Sequence, residues 1–196
     1  MNNTKSIMIV GVGGQGSLLA SKLLGSLLVD EGFDVKVSEV HGMSQRGGSV
    51  VTYVKYGDKV YSPIIDKGEA DIILAFERLE AYRALPWLKK GGVMIVNDQQ
   101  INPMPVITGA ADYPENILDK LCEACDDFNF EHVIFIDALR LAQKAGNAKA
   151  VNVVLIGELA KNTEISYEEW IDAIKATVPP KFLEVNLKAF DLGYNL

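Results

Sequence analysis

Two glycine-rich stretches hold the residues with the widest chemical reach. The first is Gly11-Val12-Gly13-Gly14-Gln15-Gly16, in which Gly11, Gly13 and Gly16 keep the G-x-G-x-x-G spacing and Gly14 adds a fourth glycine. Glycines so placed accept positive φ and let backbone N–H groups close on an anion. The second runs from Glu39 through His41, Gly42, Ser44, Gln45 and Arg46 to Gly47 and Gly48. Arg46 brings a forked set of donors suited to a carboxylate or phosphate. Gly47 and Gly48 let backbone amides join it, Gln15 and Gln45 add neutral donors, and His41 can titrate or hydrogen-bond. Glu39 lies about where a dinucleotide site places its ribose-gripping carboxylate. Donors and a cation are therefore present, but no nucleophile–base pair accompanies them. Alone, the spacing also fits a glycine turn needed only for close packing, and the second loop also fits one closed on itself by an Arg46–Glu39 pair.

Other chemistries find too few residues. Cys122 and Cys125 form a C-x-x-C, but these are the chain's 2 cysteines, and clusters or structural zinc usually need four ligands. The pair lies late in its expected helix, not at a helix start as a redox dithiol would. The 2 histidines, His41 and His132, exclude a multi-histidine metal centre. Ser17 lacks a G-x-S-x-G frame, and Gly16-Ser17-Leu18 is no Walker A loop. The carboxylate pairs Glu77/Glu80, Asp126/Asp127 and Glu168/Glu169 are expected at helix ends or on solvated faces. A net charge of −7 argues against nucleic acid or an anionic membrane as partner. Without a bilayer-length apolar run, a signal sequence or a disulfide framework, a cytoplasmic location is expected.

The elements that must position these residues follow from the apolar pattern. A strand over 6–10, continuously apolar as in strands buried on both faces, runs into the first glycine turn. A helix over about 14–31 follows, with Gly32 at its C-cap, then a strand over 33–39. Residues 50–54 alternate as a strand and are expected to form an antiparallel hairpin with 60–65, where Pro63 favours an edge. Further strands are expected over 70–76, 93–97 and 133–137. A helix over 77–88 is ended early by Pro86. Residues 101–108 read as an extended edge segment, and a helix spans about 113–126. Beyond 149 only helices are expected, over 151–161, 166–177 and 181–190, with a capping box at Ser166 and Glu169. The fold class is α/β: a Rossmann-like, mostly parallel sheet with helices on both faces, a β-hairpin insertion and a helical C-terminal third. Residues 1–196 form a single domain, with 149–196 packed on it as a helical extension. In such a sheet both glycine stretches gather at the carboxyl ends of the strands.

Together, Gly11-Val-Gly-Gly-Gln-Gly16 and Glu39-Val-His-Gly-Met-Ser-Gln-Arg-Gly-Gly-Ser-Val50 resemble the gamma-type catalytic domain of 2-oxoacid:ferredoxin (acceptor) oxidoreductases. The wording of the second stretch is similar to that of the beta subunits of indolepyruvate:ferredoxin oxidoreductases. The resemblance implies oxidative decarboxylation of an aryl 2-oxoacid with coenzyme A, giving the aryl-acetyl-CoA, carbon dioxide and reduced ferredoxin. It implies no cofactor on this chain alone, with thiamine diphosphate, Mg2+ and [4Fe-4S] clusters in a partner alpha subunit, joined in a heterodimer or heterotetramer. By motif match the site residues are Gly11, Gly13, Gly14, Gln15, Gly16, His41, Ser44, Gln45, Arg46, Gly47 and Gly48. They shape a shared cleft that holds the substrate carboxylate, coenzyme A or partner residues. His41 and Arg46 line that cleft rather than transfer protons. Two alternatives stand beside this reading: a self-contained NAD(P)- or flavin-binding oxidoreductase using Glu39, and a non-catalytic structural subunit.

Overall fold

A computed structural model describes residues 4–42, 47–128 and 132–196. One six-stranded sheet is built from β1 (Lys5–Val12), β2 (Asp34–His41), β3 (Ser49–Gly57), β4 (Ala70–Ala75), β5 (Leu88–Asn97) and β6 (His132–Ile136). The strand order is β2-β3-β1-β4-β5-β6. β1, β4, β5 and β6 pair in parallel, and β3 runs antiparallel to both of its neighbours. The sheet is thus mixed but mostly parallel, as expected.

β1 shows why its apolar run is unbroken. Ile7 and Ile9 enter a core on one face, while Met8 and Val10 enter a second core on the other. Both faces are roofed by helices, so neither set of side chains can be polar. On the first face lie α1 (Ser17–Asp30), α5 (Ala138–Ala145), α6 (Val151–Lys161), α7 (Tyr167–Thr177) and α8 (Leu183–Tyr194). On the second lie α2 (Arg78–Ala84) and α4 (Ile117–Phe128). Gly32 ends α1 at φ 84, with the Gly32 and Phe33 amides donating to Val29 and Leu28 carbonyls. This is a Schellman closure, and it turns the chain straight into β2.

The hairpin differs from expectation. β3 pairs with β2 and β1, not with 60–65. Residues 58–69 instead pass as irregular chain, bound through the Val60 amide to Asp34 and through Lys55 to the Ile64 carbonyl. Val60 and Ile65 are buried by this packing. Their apolar side chains read as a strand in sequence, but side-chain contacts hold them, not a ladder. The extended segment expected over 101–108 is likewise replaced by a single helical turn, α3 (Met104–Ile107). Pro105 sits in its first turn, where a missing N–H costs nothing. Pro86 does end α2 early, in a 3-10 turn over Leu85–Trp87. The C-terminal third is helical, with the Ser166/Glu169 capping box formed.

Candidate functional site

The glycine turn and the end of the second loop lie against each other. The Gly13 amide donates to the Gly48 carbonyl at 2.8 Å, and the Gly47 amide donates to the Gly13 carbonyl at 3.3 Å. The cause is not parallel order, because β3 separates β1 from β2. It is the antiparallel register that sets Val12 opposite Ser49, so that the loop returning from β2 meets the turn leaving β1. Gly14 and Gly16 stand at φ 104 and 86, a region costly for residues with a Cβ.

In front of the turn is an open cleft of about 400 Å³, lined by Gly13, Gly14, Gly16, Ser17, Leu18, Glu39, His41 and Val50. Gly16 caps α1 without a side-chain hydrogen bond, and no acidic residue occupies the first turn. The helix's positive end is therefore turned to the cleft without an internal anion. Opposite, the end of β2 presents Glu39, which accepts from Thr52 Oγ1 at 3.4 Å, and the exposed His41, whose Nδ1 is 3.0 Å from the Gly42 carbonyl. Gly11 is set apart from this wall: a Cβ there would lie 2.9 Å from that of Phe76. Its glycine serves close packing beneath the turn. Ser44, Gln45 and Arg46 lie outside the described residues.

Gln15, expected as a neutral donor, donates within the protein and braces the turn. Its Oε1 accepts the Val12 amide at 2.7 Å, and its Nε2 donates to the Phe76 carbonyl at 2.9 Å and to Gln99 Oε1 at 3.3 Å. Asn97, buried at the end of β5, donates to the same Phe76 carbonyl and Gln99 oxygen. The sign in the sequence was the polar run Asn97-Asp98-Gln99-Gln100 directly after a buried strand.

Glu77 and Glu80 stand at the start of α2, a helix end as expected, but they are buried there, with only 1% and 5% of their surfaces exposed. Glu77 is the N-cap of α2 and accepts from the Glu80 and Ile101 amides and from the Tyr113 hydroxyl, at 3.0, 3.1 and 2.5 Å. Burial and this carboxylate raise the Tyr113 phenol well above its ordinary pKa. Glu80 accepts from Ser49 Oγ at 2.6 Å and from Arg83 at 2.7 Å. Capping and ion pairing offset the cost of burying both charges. Among the described residues no group of three or more His, Cys, Asp or Glu side chains is placed to hold a metal ion. Cys122 is an exposed free thiol.

A mostly parallel sheet roofed by helices on both faces, with a glycine turn at the carboxyl end of its first strand, defines an α/β protein. A family model described as pyruvate ferredoxin/flavodoxin oxidoreductase matches residues 6–196, and the chain belongs to that family. It is 47% identical over 191 residues to the indolepyruvate oxidoreductase subunit IorB of Pyrococcus horikoshii, covering 96% of this chain and 93% of the relative. The gamma subunit of a keto/oxoacid ferredoxin oxidoreductase from Geobacter sulfurreducens has the same fold, with a TM-score of 0.71 at 24% identity over 97% of this chain and 96% of that one. So has part of a Magnetococcus marinus 2-oxoglutarate:ferredoxin oxidoreductase, solved with 2-oxoglutarate, coenzyme A and succinyl-CoA bound. Its TM-score is 0.71 at 17% identity, covering all of this chain and 32% of that one.

Proposed function

We propose that this chain is the subunit without clusters of a thiamine-dependent indolepyruvate (arylpyruvate):ferredoxin oxidoreductase. The complex would convert an aryl 2-oxoacid, coenzyme A and oxidised ferredoxin into the aryl-acetyl-CoA, carbon dioxide and reduced ferredoxin. The 47% identity to a subunit named for indolepyruvate supports the substrate class. With 2 cysteines the chain falls short of the four ligands a cluster usually needs, and on this reading the clusters and thiamine diphosphate belong in the partner alpha subunit. The chain's own part is to shape and close the site.

One observation carries the reading: Gly13 bonded to Gly48 beside an uncapped α1, facing Glu39 across the cleft. Of the three occupants expected from the sequence, this combination favours the nucleotide end of coenzyme A. Amides and a helix N-terminus suit its phosphates, and Glu39 suits a hydroxyl or amine. The carboxylate of a 2-oxoacid offers Glu39 no hydroxyl or amine to pair with.

Co-expression with an alpha-type subunit and assay of arylpyruvate-dependent viologen reduction tests this. Ser17→Asp places a carboxylate at the phosphate position, and about a tenfold rise in the KM for coenzyme A is expected, with the 2-oxoacid KM unchanged. A rise confined to the 2-oxoacid KM assigns the cleft to the substrate carboxylate. Loss of assembly assigns it to partner residues. Tight NAD or flavin binding by the isolated chain would overturn the subunit reading altogether.

A further inference from the structure

The four glycines of the turn contribute no side chain to hold its shape. A turn of that kind would sample many conformations unless its remaining side chains and their partners restrict them. The restraint found here is a chain of amides across the carboxyl edge of the sheet. Gln15 spans the turn, taking the Val12 amide on its oxygen and giving its nitrogen to the Phe76 carbonyl. That nitrogen also reaches Gln99 Oε1, which at the same time accepts Asn97 Nδ2 at 3.1 Å. Asn97 Oδ1 in turn accepts the Ala138 amide at 3.3 Å, at the first residue of α5. Gln99 is fixed through its backbone as well, its carbonyl accepting the Arg78 amide at 3.0 Å and its amide donating to the Asn97 carbonyl at 2.7 Å.

We propose that Gln99 is a positioning residue for the anion cleft: it anchors the Gln15 amide, and Gln15 in turn holds Val12, at the entry to the glycine turn, against the Phe76 carbonyl just past β4. The turn is thereby tied to the ends of β4 and β5 and to the starts of α2 and α5, so its geometry is set by the sheet's edge. Amide orientation decides the outcome, because a Gln15 flipped end for end would set its NH2 against the Val12 N–H and its oxygen against the Phe76 carbonyl. The Val12 and Phe76 backbone groups set that orientation, and Gln99 Oε1 adds a third anchor that limits the swing of the Gln15 nitrogen. Its effect on ligand binding rests on the coenzyme A reading above. Its effect on the turn does not.

Two measurements on Gln99→Leu and Gln99→Glu separate these. Glutamate keeps the acceptor and leucine removes it. In the isolated chain, NMR hydrogen exchange at the Val12 amide should speed up about tenfold in Gln99→Leu and stay near wild type in Gln99→Glu. In the reconstituted complex, Gln99→Leu should raise the KM for coenzyme A about tenfold with kcat little changed, and Gln99→Glu should restore it. Faster exchange with an unchanged KM upholds the brace and removes coenzyme A from the cleft. Unchanged exchange in Gln99→Leu, or equal damage from both variants, overturns the proposal.

Discussion

At Gly16 the backbone stands at φ 86, and an added Cβ would lie 3.0 Å from Asn152 Nδ2 on α6. Two costs therefore meet at one atom: the left-handed conformation and the displacement of a buried amide. Gly16→Ala is expected to lower stability by about 1–2 kcal/mol, read from the denaturant midpoint at constant m. An unchanged midpoint would mean that the turn relaxes freely and is not held by the fold. The residue types were readable at this scale, because G-x-G-x-x-G and the polar loop announce themselves. Side-chain direction was not. Nothing local distinguishes a glutamine that faces a ligand from Gln15, which faces Phe76 and Gln99. Glu77 and Glu80 stand at a helix start as expected, but their burial was not legible, since it comes with donors far along the chain: Ile101 and Tyr113 for Glu77, Ser49 for Glu80.

Among the elements, β2 and the irregular 58–69 passage are joined at Asp34. Its carboxyl is held down at about 2, against an ordinary 3.8, first by the Lys36 hydrogen bond, then by the Val60 amide and the nearby Lys36 and Lys59 charges. A value depressed in the folded state stabilises fully above the ordinary value, and that stability is lost as pH falls from about 4 toward 2. Asp34→Asn should flatten the stability profile over that window in a pH series of thermal melts. An unaltered profile would mean the Asp34 contacts do not form in solution. The α6–α8 contact is governed by space instead. A Cβ on Gly157 would lie 2.3 Å from the Phe190 carbonyl oxygen, and one on Gly193 2.0 Å from that of Val154. Gly157→Ala should cost about 1–3 kcal/mol or more in urea unfolding, because backbone rather than a side-chain tip must move. Helices α6 and α7 kept their expected bounds to within a residue, since caps and apolar spacing are local signals. The hairpin did not, because partner choice among strands is a long-range decision.

For the whole molecule, the reading as a subunit makes the isolated chain inert toward arylpyruvates, with turnover appearing only on reconstitution. Arylpyruvate-dependent viologen reduction by the isolated chain should stay at background, and turnover by it alone would overturn the subunit reading. Several apolar side chains stand well exposed, among them Leu18 at the cleft and Met104 and Ile107 on α3. No helix among the described residues is long and apolar enough to cross a membrane. What the amino-acid order determined unaided was the class of fold and the family, because periodicity, glycine spacing and motif wording are properties of neighbouring residues. Tertiary structure alone decided how the two glycine-rich stretches meet: β3 enters between β1 and β2, and its register sets Gly13 on Gly48. Such pairing is chosen by which surfaces bury together, a comparison made over the whole chain and written in no single segment of it.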